Sequence, residues 1–320
     1  MNTYPDLAEV LATLKVVRLP MRTRFRGIDY REVALFKGPY GWGEFSPFLE
    51  YGSEESARWL QAGLEAAFEE PLPILREYLD VNATLPAIDD GDEIKRVLAL
   101  YPGAKCVKIK VEADRDRNRA RIAKVKELAP SISIRLDVNG AWSADQAVSF
   151  LEPISSEIEY VEQPCATIEE LREVKRRIDI KVAADEVVRK SEDPLSIDLA
   201  GAADLVILKV SPLGGIRRSM RIASHHGLPV VVSSALESAV GIAHGLRLAA
   251  SIPDYQSPSG LATGALFTDD VAKLKIEAGR MRACKISDLD QSTLDRLAVE
   301  DDRYIWWQNR LRASFEVLEG

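Results

Sequence analysis

Hydrophobic and polar residues along the middle of the chain follow two alternating periods. Residues 105–111 (KCVKIKV) place Val107, Ile109 and Val111 on one side of a strand, and Lys108 and Lys110 on the other, because strand side chains alternate with period two. Further β-rich runs are predicted at 132–138 (ISIRLDV), 158–162 (IEYVE), 180–184 (IKVAA), 204–209 (DLVILK) and 228–234 (LPVVVSS). Helical patterns separate them. Residues 115–128 carry Ile122, Val125 and Leu128 on one face. Residues 143–151 start at Ser143, a candidate N-cap, and residues 167–177 open as TIEE, a capping-box pattern. Residues 215–226 and 236–250 complete the series. Strands alternating with helices predict βαβ units and a parallel sheet.

The polar residues near the strand ends recur at a steady step. Lys110, Asp137, Glu162, Asp185, Lys209 and Ser233 are separated by 27, 25, 23, 24 and 24 residues. That step favours a closed (β/α) barrel over an open sheet, and no GxGxxG or phosphate loop argues for the latter. Residues 79–88 suit a first barrel strand and 254–264 a last strand with its loop. Residues 1–78 read differently: 8–19 and 30–38 as strands, 54–64 as a helix. The expected fold class is therefore α/β. An α+β capping domain (1–78, completed by about 276–320) precedes a TIM-like barrel (79–275). The short helical pattern 293–297 and the run YIWW (304–307) suggest only packing, Trp306 and Trp307 included.

Barrels of this kind carry their chemistry at the C-terminal strand ends. Three carboxylates from consecutive strands, Asp137, Glu162 and Asp185, are candidate ligands for a hard cation such as Mg²⁺, with Mn²⁺ as a substitute. Taken singly, strand-end acids are ordinary loop residues; their shared phase with two lysine-bearing strands makes them a set. Lys209 ends an otherwise apolar run, where lysine is rare unless paired. Lys110 and Lys209 flank the carboxylates. A metal with an ammonium on each side suits proton abstraction beside a substrate carboxylate, the metal stabilising an enediolate. Lys108 and the metal should lower the pKa of Lys110 and make it a neutral base. The bland reading of the lysine face is an edge strand protected from aggregation or a half-solvated antiparallel strand.

Composition narrows the function further. The chain has 320 residues, 46% of them hydrophobic, and a net charge of −8. The acidic balance argues against a general nucleic-acid binder. No apolar stretch reaches membrane-spanning length, and the first twenty residues lack a secretory pattern. Three widely spaced cysteines, Cys106, Cys165 and Cys284, suggest reduced thiols and a cytoplasmic setting. The three histidines, His225, His226 and His244, fall on or beside helices. Acid–base work is left mainly to Lys, Asp, Glu or Tyr. Oligomeric state is not determined by any of these features.

In order, KxK (Lys108–Lys110), DxN (Asp137–Asn139), EQP (Glu162–Pro164), DE (Asp185–Glu186) and the Lys209 strand resemble the enolase superfamily, in its muconate-lactonising-like subgroup. The resemblance spans nearly the whole chain and implies a capped (β/α)₇β barrel. RFRGIDYRE (24–32), GWGEFSPF (41–48), RLDVNGAW (135–142), LKVSPLGG (208–215), SSALESAVG (233–241) and GLATGALF (260–267) are similar to the short actinobacterial o-succinylbenzoate synthases. That family implies a small carboxylate substrate, 2-succinyl-6-hydroxy-2,4-cyclohexadiene-1-carboxylate, and its syn dehydration in menaquinone synthesis. Carried over, Lys110 is the base and Lys209 the electrostatic partner. Asp137, Glu162 and Asp185 hold Mg²⁺, while Arg135 and Asn139 orient Lys110 and the metal shell. The cap loops at 22–27 and 48–51 would close over the mouth, which brings in Arg24, Phe48, Leu49 and Tyr51. Ser233, Ser234 and Gly260 would receive the succinyl carboxylate. The rival activity is an N-succinylamino acid racemase or epimerase on the same scaffold, since two opposed lysines also serve 1,1-proton transfer. A dipeptide epimerase is disfavoured because 257–264 (SPSGLATG) lacks the expected DxD. A non-catalytic metal-binding scaffold is the remaining reading, and the complete set of core residues argues against it.

Overall fold

The computed structural model describes residues 5–320; the first four residues of the expected cap domain lie outside the described residues. Three antiparallel strands, β1 (Lys15–Phe25), β2 (Ile28–Gly38) and β3 (Gly41–Phe45), form the cap sheet in the order β1-β2-β3. The stretch expected as strand from residue 8 begins instead with helix α1 (Leu7–Ala12). LAEVLA consists mostly of good helix formers, and the Asp6 carboxylate caps the first turn by accepting from the Ala8 N–H. Helix α2 (Ser53–Phe68) lies against β3 so closely that a Cβ at Gly43 would fall 2.2 Å from the Gly63 carbonyl oxygen.

The barrel sheet is seven parallel strands: β5 (Ala83–Leu85), β6 (Cys106–Lys110), β7 (Ser133–Asp137), β8 (Tyr160–Glu162), β9 (Val182–Ala184), β10 (Leu205–Leu208) and β11 (Val230–Val232), neighbours in chain order. The eighth stave is only a pair of isolated bridges. Ser259 bridges Val81 beside β5, and Gly260 bridges Ser233 beyond β11. A full strand in 254–264 does not form. The expected first strand, 79–88, is split: Tyr78–Asp80 (β4) pairs antiparallel with Arg280–Arg282 (β12) outside the barrel, and only β5 joins its wall.

Helices α3 (Gly91–Leu98), α4 (Arg115–Leu128), α5 (Ala144–Leu151), α6 (Ile168–Arg177), the one-turn α7 (Glu186–Arg189) and α8 (Val210–Leu213), α9 (Ile216–His226) and α10 (Ala239–Ser251) follow the strands. Capping boxes start α5 at Ser143 and α6 at Thr167. Val107 and Ile109 pack into the main core outside the wall, whereas Tyr160, Ala183, Leu205, Ile207 and Val231 form a separate apolar cluster. The tail returns to the cap through α11 (Gln291–Leu297), packed on β1, and α12 (Asp301–Glu319), packed on α2. Trp307 is fully buried there, edge-on to Phe45, and donates its indole N–H to Glu32.

Two cap carboxylates fasten cap to barrel at helix N-termini, where backbone N–H groups lack partners. Glu65 accepts from the N–H groups of Ile216 and Arg217 at the start of α9. Glu44 accepts from the Ser238 hydroxyl and the Gly241 N–H at the start of α10.

Candidate active site

Strand register brings the chemistry together. Lys110 pairs with Asp137, and Asp137 with Glu162, so three adjacent strands present these side chains in one row. Asp185 directly follows β9 and Lys209 directly follows β10, which extends the row. All three carboxylates are buried. Lys108 Nζ lies 2.8 Å from Glu162 and 3.3 Å from Asp137. Lys110 Nζ lies 2.5 Å from Asp137 and 2.7 Å from Asn139 Oδ1. Lys209 Nζ lies 2.5 Å from Asp185 and 3.7 Å from Glu162. The lysine face of β6 thus points into the barrel and not to bulk water, and the edge-strand reading fails.

The loops after the strands hold these groups by backbone conformation. Asn139 adopts a left-handed φ of 53°, which asparagine tolerates better than most residues. Its amide thereby receives Lys110 and donates to Glu186 Oε1 at 3.0 Å. Gln163, at φ 41°, accepts from the Asp185 N–H at 2.9 Å, so the EQP glutamine orients the start of the next loop.

Burial lowers the pKa of Lys110; Asp137 opposes the shift, and Lys108 and Lys209 add to it. Burial acts the same way on Lys108, but Glu162 and Asp137 outweigh it and hold that lysine above its ordinary value. Burial would raise Asp137, yet Lys110 and Lys108 keep it well below the usual carboxylate range. Burial, with Asp137 beside it, pushes Glu162 up to about 7. Asp137 Oδ1 and Glu162 Oε1 are buried without a hydrogen-bond partner. Unsatisfied buried carboxylate oxygens are costly, and a hard divalent cation is the charge they fit. Among the described residues, no three ligating side chains are already gathered around one point. The ammonium groups of Lys108, Lys110 and Lys209 contact the carboxylates instead.

Above the row lies a cleft of about 500 Å³, its open mouth included. Phe25, Phe48, Tyr51 and Trp59 of the cap form apolar wall, and Lys110, Lys209, Ser233, Ser234 and Gly260 belong to the barrel side. Ser233 Oγ lies 3.4 Å from Lys108 Nζ, and Ser234 Oγ 2.5 Å from Thr263 Oγ1. A Cβ at Gly260 would meet Ser233 Oγ at 2.4 Å and force that hydroxyl to move.

Some expected site residues lie elsewhere. Arg24 donates to the Gly27 carbonyl at 2.9 Å and is exposed. The turn between β1 and β2, with Arg26 and Gly27 both at positive φ, instead puts the Arg26 guanidinium 4.1 Å from the Phe48 ring centre, at the cleft. Leu49 is 51% exposed and is not part of the cleft lining. Arg135 does not orient Lys110. It sits two residues below Asp137 on the same strand face and binds Glu159, Asn82 Oδ1 and the Pro258 carbonyl. The site also contains Arg189, Thr84, Leu236 and Thr263, which strand-end spacing alone did not reveal. Arg189 stands one helical turn beyond Asp185, the one signal that could have found it. The histidines are outside the cleft: His225 and His226 end α9, and His244 lies on α10, 3.5 Å from Glu65.

Residues 92–285 match the enolase C-terminal domain-like family and residues 16–67 the enolase N-terminal domain-like family. The chain belongs to the enolase superfamily. Its full-length relatives there include o-succinylbenzoate synthases. The one from Mycobacterium ulcerans is 46% identical over 99% of this chain and 96% of its own. That from Mycolicibacterium smegmatis is 44% identical over 99% of both. Among solved structures, muconate lactonizing enzyme from Pseudomonas fluorescens, complexed with muconolactone, aligns with a TM-score of 0.77 at 20% identity, covering 90% of this chain and 98% of its own. N-succinyl Arg/Lys racemase from Bacillus cereus aligns at 0.76 and 20%, covering 90% and 97%. At that identity, these structures establish the shared fold alone. Among the described residues, no helix is long and apolar enough to cross a membrane.

Proposed function

We propose that the protein is an o-succinylbenzoate synthase, a lyase that dehydrates 2-succinyl-6-hydroxy-2,4-cyclohexadiene-1-carboxylate with Mg²⁺ in menaquinone biosynthesis. The observation that carries this reading is the buried row of carboxylates with Lys110 at one end and Lys209 at the other, under an aromatic cap. The full-length similarity to synthases supports the same substrate. Asp137, Glu162 and Asp185 would hold the metal; when bound, it supplies positive charge to a substrate carboxylate as negative charge builds there.

Neutral Lys110 takes the proton from the carbon next to the ring carboxylate. The C–H electron pair moves onto the adjacent carboxylate, giving the substrate enediolate, and returns to the ring as the leaving group departs. The C–O bond to the hydroxyl then breaks, and Lys110 returns its proton to that oxygen on the same face, so water leaves. The ring becomes aromatic, which makes this second step strongly downhill. Lys209 stays protonated on the other side, beside Asp185, and stabilises the developing charge electrostatically. Phe25, Phe48, Tyr51 and Trp59 enclose the ring and exclude water.

The division into a cap (1–78 with about 276–320) and a catalytic barrel (79–275) belongs to the same reading, as does a cytoplasmic setting that keeps the three free thiols reduced.

The test is a paired assay of purified protein with Mg²⁺. One arm follows o-succinylbenzoate formation by ultraviolet absorbance, and the other follows α-deuterium exchange into N-succinyl amino acids in D₂O. Aromatisation without exchange supports a dedicated synthase. Exchange with racemisation would assign the opposed lysines to both faces of a wider substrate set. Silence in both arms, with Mg²⁺ bound, would overturn the substrate assignment.

A further inference from the structure

Arg189 is nearly as buried as the carboxylates, with 4% of its side chain exposed, yet it stands outside the strand-end series. Its three guanidinium nitrogens have three different partners. Nε donates to Asp185 Oδ1 at 3.1 Å. One terminal nitrogen donates to Glu186 Oε1 at 2.6 Å, and the other lies 3.5 Å from the Tyr51 hydroxyl of the cap. The arginine's own carbonyl is held by Arg58 of α2 at 3.1 Å.

These contacts close a hydrogen-bonded path between the two lysines. Lys209 binds one oxygen of Asp185, and Arg189 binds the other. Arg189 and Asn139 share Glu186 Oε1, and Asn139 receives Lys110. A planar fork suits this task, because two nitrogens fixed in one plane can hold two carboxylates at a set angle. Without it, Asp185 and Glu186 would be buried with one fewer cation, and Asp185 would be free to rotate about its side-chain torsions.

We propose that Arg189 is the positioning residue that fixes the rotamer of Asp185 toward the metal and, through Glu186 and Asn139, the placement of Lys110. The inference rests on the reading of Asp185 as a metal ligand. Arg189 is not assigned any contact with the reacting atoms.

The test is calorimetric Mg²⁺ titration of the wild-type protein, Arg189→Met and Arg189→Lys, with circular dichroism and thermal melting on each. Groups that orient metal ligands typically control about 10–100-fold of metal affinity. Arg189→Met should therefore weaken Mg²⁺ binding by about that factor while retaining a folded spectrum. Arg189→Lys keeps the charge but cannot serve both carboxylates, so its affinity should fall between the two. If Arg189→Met does not fold, the lysine variant carries the comparison. Lower melting temperatures with unchanged Mg²⁺ affinity would show a structural ion pair only and overturn the inference. Wild-type protein that fails to bind Mg²⁺ would overturn the metal reading itself, and the inference with it.

Discussion

Glu237 offers a test of the structure's energetics that does not depend on turnover. It is 1% exposed, and one of its oxygens, Oε1, makes no hydrogen bond of normal geometry. The other accepts from the Ala235 N–H at 2.6 Å. Burial, with Glu44 beside it, raises its pKa from 4.5 to about 7. At about 1.4 kcal/mol per pH unit, that difference amounts to about 3 kcal/mol of folding free energy. The sign follows from proton binding. Between pH 4.5 and about 7 the folded state holds the proton that the unfolded chain has released, so stability falls as pH rises through this window and levels off above it. Glu237→Gln keeps an acceptor for Ala235 and cannot ionise. Its stability advantage over wild type should grow from little at pH 5 to as much as about 3 kcal/mol at pH 8, worth several degrees in Tm. Asp270, also raised to about 7 by burial, is present in both proteins and cancels. Urea unfolding followed by tryptophan fluorescence at four pH values gives the two curves. Parallel curves would refute the claim that Glu237 is buried as a costly charge.

Four further outcomes bear on the site. Lys110→Ala and Lys209→Ala should each lose at least about 10²-fold in turnover while staying folded; near-wild-type rates in either would remove its assigned role. Glu162→Gln should weaken Mg²⁺ binding, and unchanged calorimetric affinity would take Glu162 out of the ligand set. Because burial lowers the pKa of Lys110 and the base must be neutral, kcat/KM should rise about tenfold per pH unit and level off below the ordinary lysine value of 10.5; a rate that falls with rising pH would contradict a neutral lysine base. Arg310 on α12 donates to the Phe48 and Tyr51 carbonyls at 2.6 and 2.8 Å and to Ser56 Oγ at 3.1 Å. Arg310→Met should release that loop and raise KM more than it lowers kcat; steady-state kinetics with KM unchanged would refute a role for the C-terminal helix in the cleft.

The amino-acid sequence by itself determined the repeating strand–helix step, the capping boxes at Ser143 and Thr167, and the common phase of Lys110, Asp137, Glu162, Asp185 and Lys209. These are local properties: strand alternation and helix-start chemistry act over a few residues, and a steady step of about 24 residues places each strand end at the same height in a closed wall. Tertiary structure decided the rest. The split of 79–88 was decided by Arg280–Arg282, some two hundred residues away, which paired with β4 and left only β5 to the barrel. The last stave is two bridges, Ser259 to Val81 and Gly260 to Ser233, which join the two ends of the wall. The turn between β1 and β2 put Arg26 at the cleft and left Arg24 on the Gly27 carbonyl, and Arg135 was withdrawn from the lysines by its place one layer deeper. Arg189 reached Asp185 because a single helical turn followed β9. Such placements depend on which distant segment satisfies a buried charge or backbone group, and only the closed barrel with its docked cap brings those segments together.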